Sequence, residues 1–246
     1  MKTFIVVIPA RYGSKRLKGK PLIDIGGIPM IIRTYLQCRK VVDKKFIYIA
    51  TDDKRIKNVA EKYDANCILT SKKCLTGTDR VAEVSKKITA KFYVNVQGDE
   101  PFFNPNDLKK LILYAKKNPT EIINGYTRIK DKHLFERSSI PKLVFDKNSY
   151  LLYMSRGLIP SNKKKKFLIG WRQVCAYSFP KNALDFFSKF KKKTPIEKIE
   201  DIEILRFLES GIKIKMIRMS SKSLAIDEEK DLKKIKQYLK AKKLKS

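Results

Sequence analysis

Histidine is almost missing from this chain. His133 is the one histidine among 246 residues. That scarcity excludes an HExxH zinc site and any multi-histidine metal centre, and it leaves little room for a Ser-His-Asp triad. Cysteine is nearly as scarce: Cys38, Cys67, Cys74 and Cys175 make no CxxC pair and no metal-knuckle spacing, so reduced and mostly buried thiols are expected. No apolar run approaches the roughly 20 residues that span a bilayer, so no membrane span is expected. The opening MKTFIVVIPARYGS has a short apolar stretch like that of a signal peptide. It runs, however, into a charged, glycine-bearing loop with no small-residue cleavage site, and reads as a buried first strand of a cytoplasmic protein.

Acidic residues are also few, 25 against 56 Lys and Arg, which leaves a net charge of +31. Such an excess calls for an anionic partner, and nucleic acid is one reading. Yet most of it is lysine in runs such as Lys163 to Lys166 and Lys191 to Lys193, without the interleaved Arg and aromatic residues of a base-stacking platform. Lysine on solvated faces explains these runs at least as well, and no nucleic-acid partner is expected. A hydrophobic content of 43% supplies a core and excludes a disordered chain. What chemistry there is falls to carboxylates, cations and metal ions held through oxygen.

Strand-like and helix-like segments alternate through the first half. Phe4 to Ile8 is a continuous apolar run, the pattern of a strand buried on both faces, and Phe46 to Ala50 and Phe92 to Val96 repeat it. Helical spacing over Pro29 to Arg39, Asp53 to Tyr63, Asp79 to Ile88 and Asn106 to Lys117 fills the intervals. The pattern predicts an α/β fold, a doubly wound and mainly parallel sheet. From about residue 121 the connections shorten, with strands expected at 122–129, 142–146, 151–154, 173–177 and 212–217. Helices are expected at 180–190, 195–210 and from Glu228. The span from about 130 to 190 reads as a small β-rich insertion, a candidate dimerisation arm.

Two loops carry chemistry-bearing residues. Pro9-Ala10-Arg11-Tyr12-Gly13-Ser14-Lys15-Arg16-Leu17-Lys18-Gly19-Lys20-Pro21 follows the first strand, at the sheet edge where α/β proteins bind ligands. Its glycines admit close backbone approach, and Arg11, Arg16 and Lys20 add fixed cations, which together suit a triphosphate. Neither GxGxxG nor GxxxxGK[ST] is present. A basic surface loop is the plainer alternative. The second loop, Gln97-Gly98-Asp99-Glu100, ends another buried strand. A carboxylate there, beside phosphates, suits Mg²⁺, although Gly-Asp is also ordinary turn chemistry. Three further positions stay open from the residues alone. Asp227 reads as a helix N-cap, Thr78-Asp79-Arg80 as a cap or a nucleoside contact, and Arg156 as a carboxylate clamp or a solvated cation.

Taken in order, IPARYGSKRLKGKPL, TGTDRVAE, VNVQGDEP, KLVFDKNSYLLYMSRGLIP, EKIEDIEILRFLESG and AIDEEKDL resemble the 3-deoxy-manno-octulosonate (Kdo) cytidylyltransferase family nearly end to end. The resemblance implies a nucleotide-diphospho-sugar transferase fold. It implies one domain over 1–246, with a nucleotide-binding half to about 120 and a sugar-acid-binding and dimerisation half beyond. The implied substrates are CTP and a 3-deoxy-ulosonic acid, the cofactor Mg²⁺ and the assembly a homodimer. By matching position, Ala10, Arg11, Ser14, Arg16, Lys20, Thr78 and Arg80 would bind CTP. Gln97, Arg156, Gln173, Tyr177 and Glu200 would face the sugar acid. Asp99 and Asp227 would hold the metal, and Arg11, Lys20 and Asp99 would carry catalysis. Where the family typically has His-Leu-Gly-Ile-Tyr, this chain has Gln173-Val174-Cys175-Ala176-Tyr177, an amide in place of an imidazole, so the acceptor could be a relative of Kdo such as an amino-substituted octulosonate. A nine-carbon sialic-type acid is the alternative acceptor.

Overall fold

The computed structural model describes residues 2–13, 17–164, 166–221 and positions 231, 232 and 235. The chain runs β1 (Lys2–Ala10), α1 (Met30–Arg39), β2 (Ile47–Thr51), α2 (Lys54–Lys62), β3 (Cys67–Leu69), α3 (Gly77–Lys87), β4 (Ala90–Val96) and α4 (Pro105–Lys117). It continues with β5 (Ile122–Ile129), α5 (Lys132–Glu136), β6 (Lys142–Phe145), β7 (Leu151–Ser155), β8 (Gly170–Pro180), α6 (Lys181–Phe187), α7 (Pro195–Glu200), α8 (Leu205–Glu209) and β9 (Ile214–Arg218). The sheet order is β3-β2-β1-β4-β8-β5-β9. Strands β1 to β4 pair in parallel, as do β5 and β9, whereas β8 lies antiparallel between β4 and β5.

Alternation along β1 explains the double winding. Val6 and Ile8 point into a core layer shared with Ile31, Tyr35, Ile56 and Leu108 from α1, α2 and α4. Ile5 and Val7 point into the opposite layer with Val81, Leu184 and Phe207 from α3, α6 and α8. Successive strand side chains face opposite ways, so a strand apolar at every position demands cover on both faces.

Two elements differ from expectation. The span 130–190 is not wholly an insertion. Only the β6–β7 hairpin hangs off the sheet, whereas β8 sits at its centre with Val174, Ala176 and Phe179 fully buried. The polar Trp171-Arg172-Gln173 start of β8 hides this run, so the strand is longer than 173–177. The helix expected over 195–210 is two, α7 and α8, broken at Asp201, which takes a left-handed φ of 50°. Asp tolerates that conformation better than most residues, and its carbonyl there accepts from Arg156 Nη2 at 3.0 Å. The final helix expected from Glu228 falls largely outside the described residues, apart from Leu232 and Ile235, which pack on Ile25 and Met30.

Candidate active site

Because β1 and β4 are parallel neighbours, their carboxyl ends bring Pro9-Ala10-Arg11 and Gln97-Gly98-Asp99 to one edge. Gly98 is dictated by this crossing: a Cβ there would lie 2.7 Å from the Pro9 carbonyl oxygen and 2.9 Å from Ile31 Cδ1. The first loop folds back on itself, with Gly19 N–H donating to the Tyr12 carbonyl at 3.1 Å. Gly19 adopts a φ of 68° under the Tyr12 ring, a conformation glycine takes at little cost. This closure delivers Lys20, almost buried, to Asp99, and its Nζ lies 2.7 Å from Asp99 Oδ2.

These residues floor a cavity of about 320 Å³. Ala10, Arg11, Lys20 and Asp99 line it together with Arg156, Gln173 and Tyr177. Gln97 and Arg80 line it as well. Of the predicted set, Thr78 and Glu200 do not reach the wall. Thr78 is buried, its N–H donating to Glu203 Oε2 at 2.9 Å. Glu200 stands behind Arg156, accepting from Ser155 Oγ at 2.6 Å and Arg156 N–H at 2.8 Å. Desolvation works to raise the Glu200 pKa, but the bonds from Arg156, Ser155 and Tyr153 bring it below the ordinary carboxylate value. Ser14, Arg16 and Asp227 lie outside the described residues. Among those described, no group of three His, Cys, Asp or Glu gathers for a metal.

Arg156 also differs from a free clamp. Its guanidinium donates to the carbonyls of Glu200, Asp201, Ser138 and Ser139, at 2.6 to 3.4 Å. Most of its five N–H groups are therefore engaged within the wall itself. Gln173, 6% exposed, donates through Nε2 to Asn124 Oδ1 at 3.0 Å, which fixes the amide plane at the cavity wall. Tyr177 is buried in β8, and desolvation pushes its phenol well above the ordinary value, so it stays protonated.

The cavity also contains residues to which the sequence reading gave no role. Glu203 lines it, accepting from Gln97 Nε2 at 2.8 Å as well as from Thr78 N–H. Burial raises its pKa, with the Thr78 and Thr76 donors opposing. Asp52 follows β2 and bridges the loop after β1 to α3, accepting from Tyr12 N–H at 3.4 Å and Arg80 Nη2 at 3.0 Å. Lys193 and Asp201 pair at the rim. Asp52 obeys the strand-end rule that located Asp99, and Glu197, Glu200 and Glu203 recur every third residue in a chain poor in acid. Both signals were present in the sequence.

The chain is similar to known proteins along most of its length. A family model described as "Cytidylyltransferase" matches residues 5–214. The chain is 37% identical to the 3-deoxy-manno-octulosonate cytidylyltransferase of Chloroherpeton thalassium, over 98% of this chain and 99% of that protein. It is 35% identical to the 8-amino-3,8-dideoxy-manno-octulosonate cytidylyltransferase of Shewanella sp. (strain W3-18-1), over 96% and 98%. Among solved structures it resembles a CMP:2-keto-3-deoxy-manno-octonic acid synthetase complexed with CTP. That match has a TM-score of 0.89 at 30% identity, covering 98% of this chain and 100% of that one.

Proposed function

This chain belongs to the cytidylyltransferase family, and on that premise we propose that it joins CMP to a 3-deoxy-ulosonic acid, Kdo or a close analogue, releasing pyrophosphate. The product would feed lipopolysaccharide or capsule synthesis in the cytoplasm, and the four free cysteines fit a reducing compartment. The observation that carries the reading is the Lys20–Asp99 pair, which joins a cationic loop to a strand-end carboxylate at the wall of a cavity. Arg156 and Gln173 line the same cavity.

In this reading Arg11, Lys20, Ser14 and Arg16 hold the triphosphate, with Ala10 and Arg80 on the nucleoside side and Thr78 acting by holding Glu203. Gln97, Gln173, Tyr177 and Arg156 face the sugar acid, and Glu200 acts by holding Arg156. The nucleotide side draws on residues to about 120 and the acceptor side on those beyond. The anomeric hydroxyl attacks the α-phosphorus, the bond to the β-phosphate oxygen breaks, and the cations hold the departing pyrophosphate. Positioning and charge neutralisation supply most of the rate. Mg²⁺ fits Asp99, a hard oxygen donor whose side chain is 34% exposed beside the loop, and Asp227 would be its second carboxylate. When bound, Mg²⁺ neutralises phosphate charge and lowers the pKa of the attacking hydroxyl.

A pyrophosphate-release assay across ulosonic acids and nucleoside triphosphates tests the reading. Release should require CTP, Mg²⁺ and an octulosonic acid together. No turnover with any ulosonic acid rejects it, and a preference for nine-carbon acids reassigns the acceptor. Run on Gln173→His, the same panel should shift acceptor preference while the KM for CTP stays within about twofold. An unchanged profile removes Gln173 from specificity.

The homodimer belongs to the same proposal. Leu152 on β7, Leu168 just before β8 and Ile199 on α7 are 59%, 73% and 82% exposed, apolar surface that a second copy would cover. Sedimentation velocity should give twice the chain mass, and a monomer at micromolar concentration rejects the dimer.

A further inference from the structure

The acceptor wall rests on a lysine that takes no part in the proposed reaction. Lys142 of β6 has no exposed surface. Among the described residues no carboxylate lies within ion-pair distance of it. Its Nζ donates instead to two backbone carbonyls, that of Arg137 at 3.0 Å and that of Arg156 at 2.6 Å. The first fixes the start of the loop 137–141, which reaches the cavity through Ser139 and Pro141. The second fixes the residue whose guanidinium spans the carbonyls of Ser138, Ser139, Glu200 and Asp201. Three separate segments therefore meet over one ammonium. Arg137 itself pairs with Asp231 at 3.6 Å, four residues beyond Asp227 in the sequence.

We propose that Lys142 is a positioning residue for the acceptor, its buried ammonium setting how Arg156 and the loop 137–141 face the cavity. The inference rests on the reading of the Arg156 side as the acceptor side. Burying an ammonium is costly, and a methionine of similar length would fill the space without that cost, so packing alone does not account for a lysine here. What lysine adds is charge-assisted donation to two carbonyls that an apolar side chain would leave unpaired.

The position has a pH signature. Burial, with neighbouring Arg156, lowers the Lys142 pKa from 10.5 to about 8, and Glu200 opposes the shift. The other charged groups packed around it are Arg137 in the loop and Arg172, its cross-strand neighbour on β8. Below about 8 the ammonium donates with its charge. Above it a neutral amine donates weakly, so the wall loosens as pH rises.

The test uses the full chain and its Lys142→Met variant. In the wild type, kcat/KM for the sugar acid should fall as pH rises through about 8, more steeply than that for CTP. In Lys142→Met the acceptor KM should rise tenfold or more, the KM for CTP should stay within twofold, and the alkaline fall should vanish. Without any substrate, amide hydrogen exchange at 137–140 and 156–158 should quicken in the variant and stay unchanged in β1 and β2. Equal rises in both KM values, or unchanged exchange in those two segments, overturn the proposal. So does a flat wild-type acceptor profile across pH 7 to 9, a measurement that does not depend on the variant folding. If the wild type turns over no ulosonic acid, the functional reading fails, and hydrogen exchange still decides the role of Lys142.

Discussion

Asp99→Asn should lower kcat/KM by about a thousandfold or more while the fold survives. A thousandfold is about 4 kcal/mol of transition-state stabilisation, within what a metal ion at a phosphoryl centre supplies. The amide keeps the shape and removes the charge. The loss in stability should be small, because Asp99 pairs with Lys20 at the cavity wall with 34% of its side chain exposed, and such partly solvated pairs contribute about 0–1 kcal/mol. The assay is pyrophosphate release, read beside a thermal melt. Activity within tenfold of wild type would show that Asp99 does not hold the metal. A collapse of the melt would mean that Asp99 is instead a structural residue.

The largest effect on stability should come from a residue to which the sequence reading gave no role. Arg206 is fully buried. Its Nε and Nη2 each lie 2.7 Å from a Glu197 oxygen, Nη1 lies 2.9 Å from Asp79 Oδ1, and the guanidinium stacks 3.7 Å over the Phe187 ring. Removing one partner of such a pair leaves a buried charge uncompensated, at a cost of about 3–5 kcal/mol. For a chain of this size each kcal/mol moves the melting temperature by about 2–4 °C. Arg206→Met should therefore melt roughly 6–20 °C lower. Arg206→Met combined with Glu197→Met should recover part of that loss, because the orphaned carboxylate is gone. A double variant no more stable than the single one would refute the charge argument and leave packing over Phe187 as the cause. Asp79 also accepts from Thr76 N–H at 2.7 Å, so the network braces the turn at Thr76 and Gly77 on the cavity wall.

Much of this was legible in the chain. A strand apolar at every position, Ile5 to Ile8, predicts cover on both faces, and the two core layers supply it. The strand-end rule located Arg11 and Asp99 at one edge, because parallel neighbours necessarily bring their carboxyl ends together. Other features depend on partners distant in sequence. That most Arg156 donors run to carbonyls follows from where the 137–141 loop and the end of α7 come to rest, which no local pattern encodes. Glu203 falls between α7 and α8 in a stretch that reads as one helix, and the three-residue spacing of Glu197, Glu200 and Glu203 marks a face without distinguishing a solvated acid from a cavity-lining one. Its role follows from the break at Asp201, a left-handed residue that periodicity does not announce.

The place of β8 has a further consequence, in the order in which the chain is made. β4 emerges early, yet the strand that covers its free edge ends at Pro180, 84 residues after Val96 (180 − 96). At about 5–20 residues per second, that edge waits on the order of 4–17 s for its partner during synthesis. An unpaired strand edge is a template for other chains. A chain stopped near residue 165 would hold every element of the parallel β1–β4 sheet and still lack the strand that seals it. Such fragments should therefore collect as aggregates rather than as a smaller folded unit. In this protein the β1–β4 sheet becomes a finished surface only after β5 to β8 have been built.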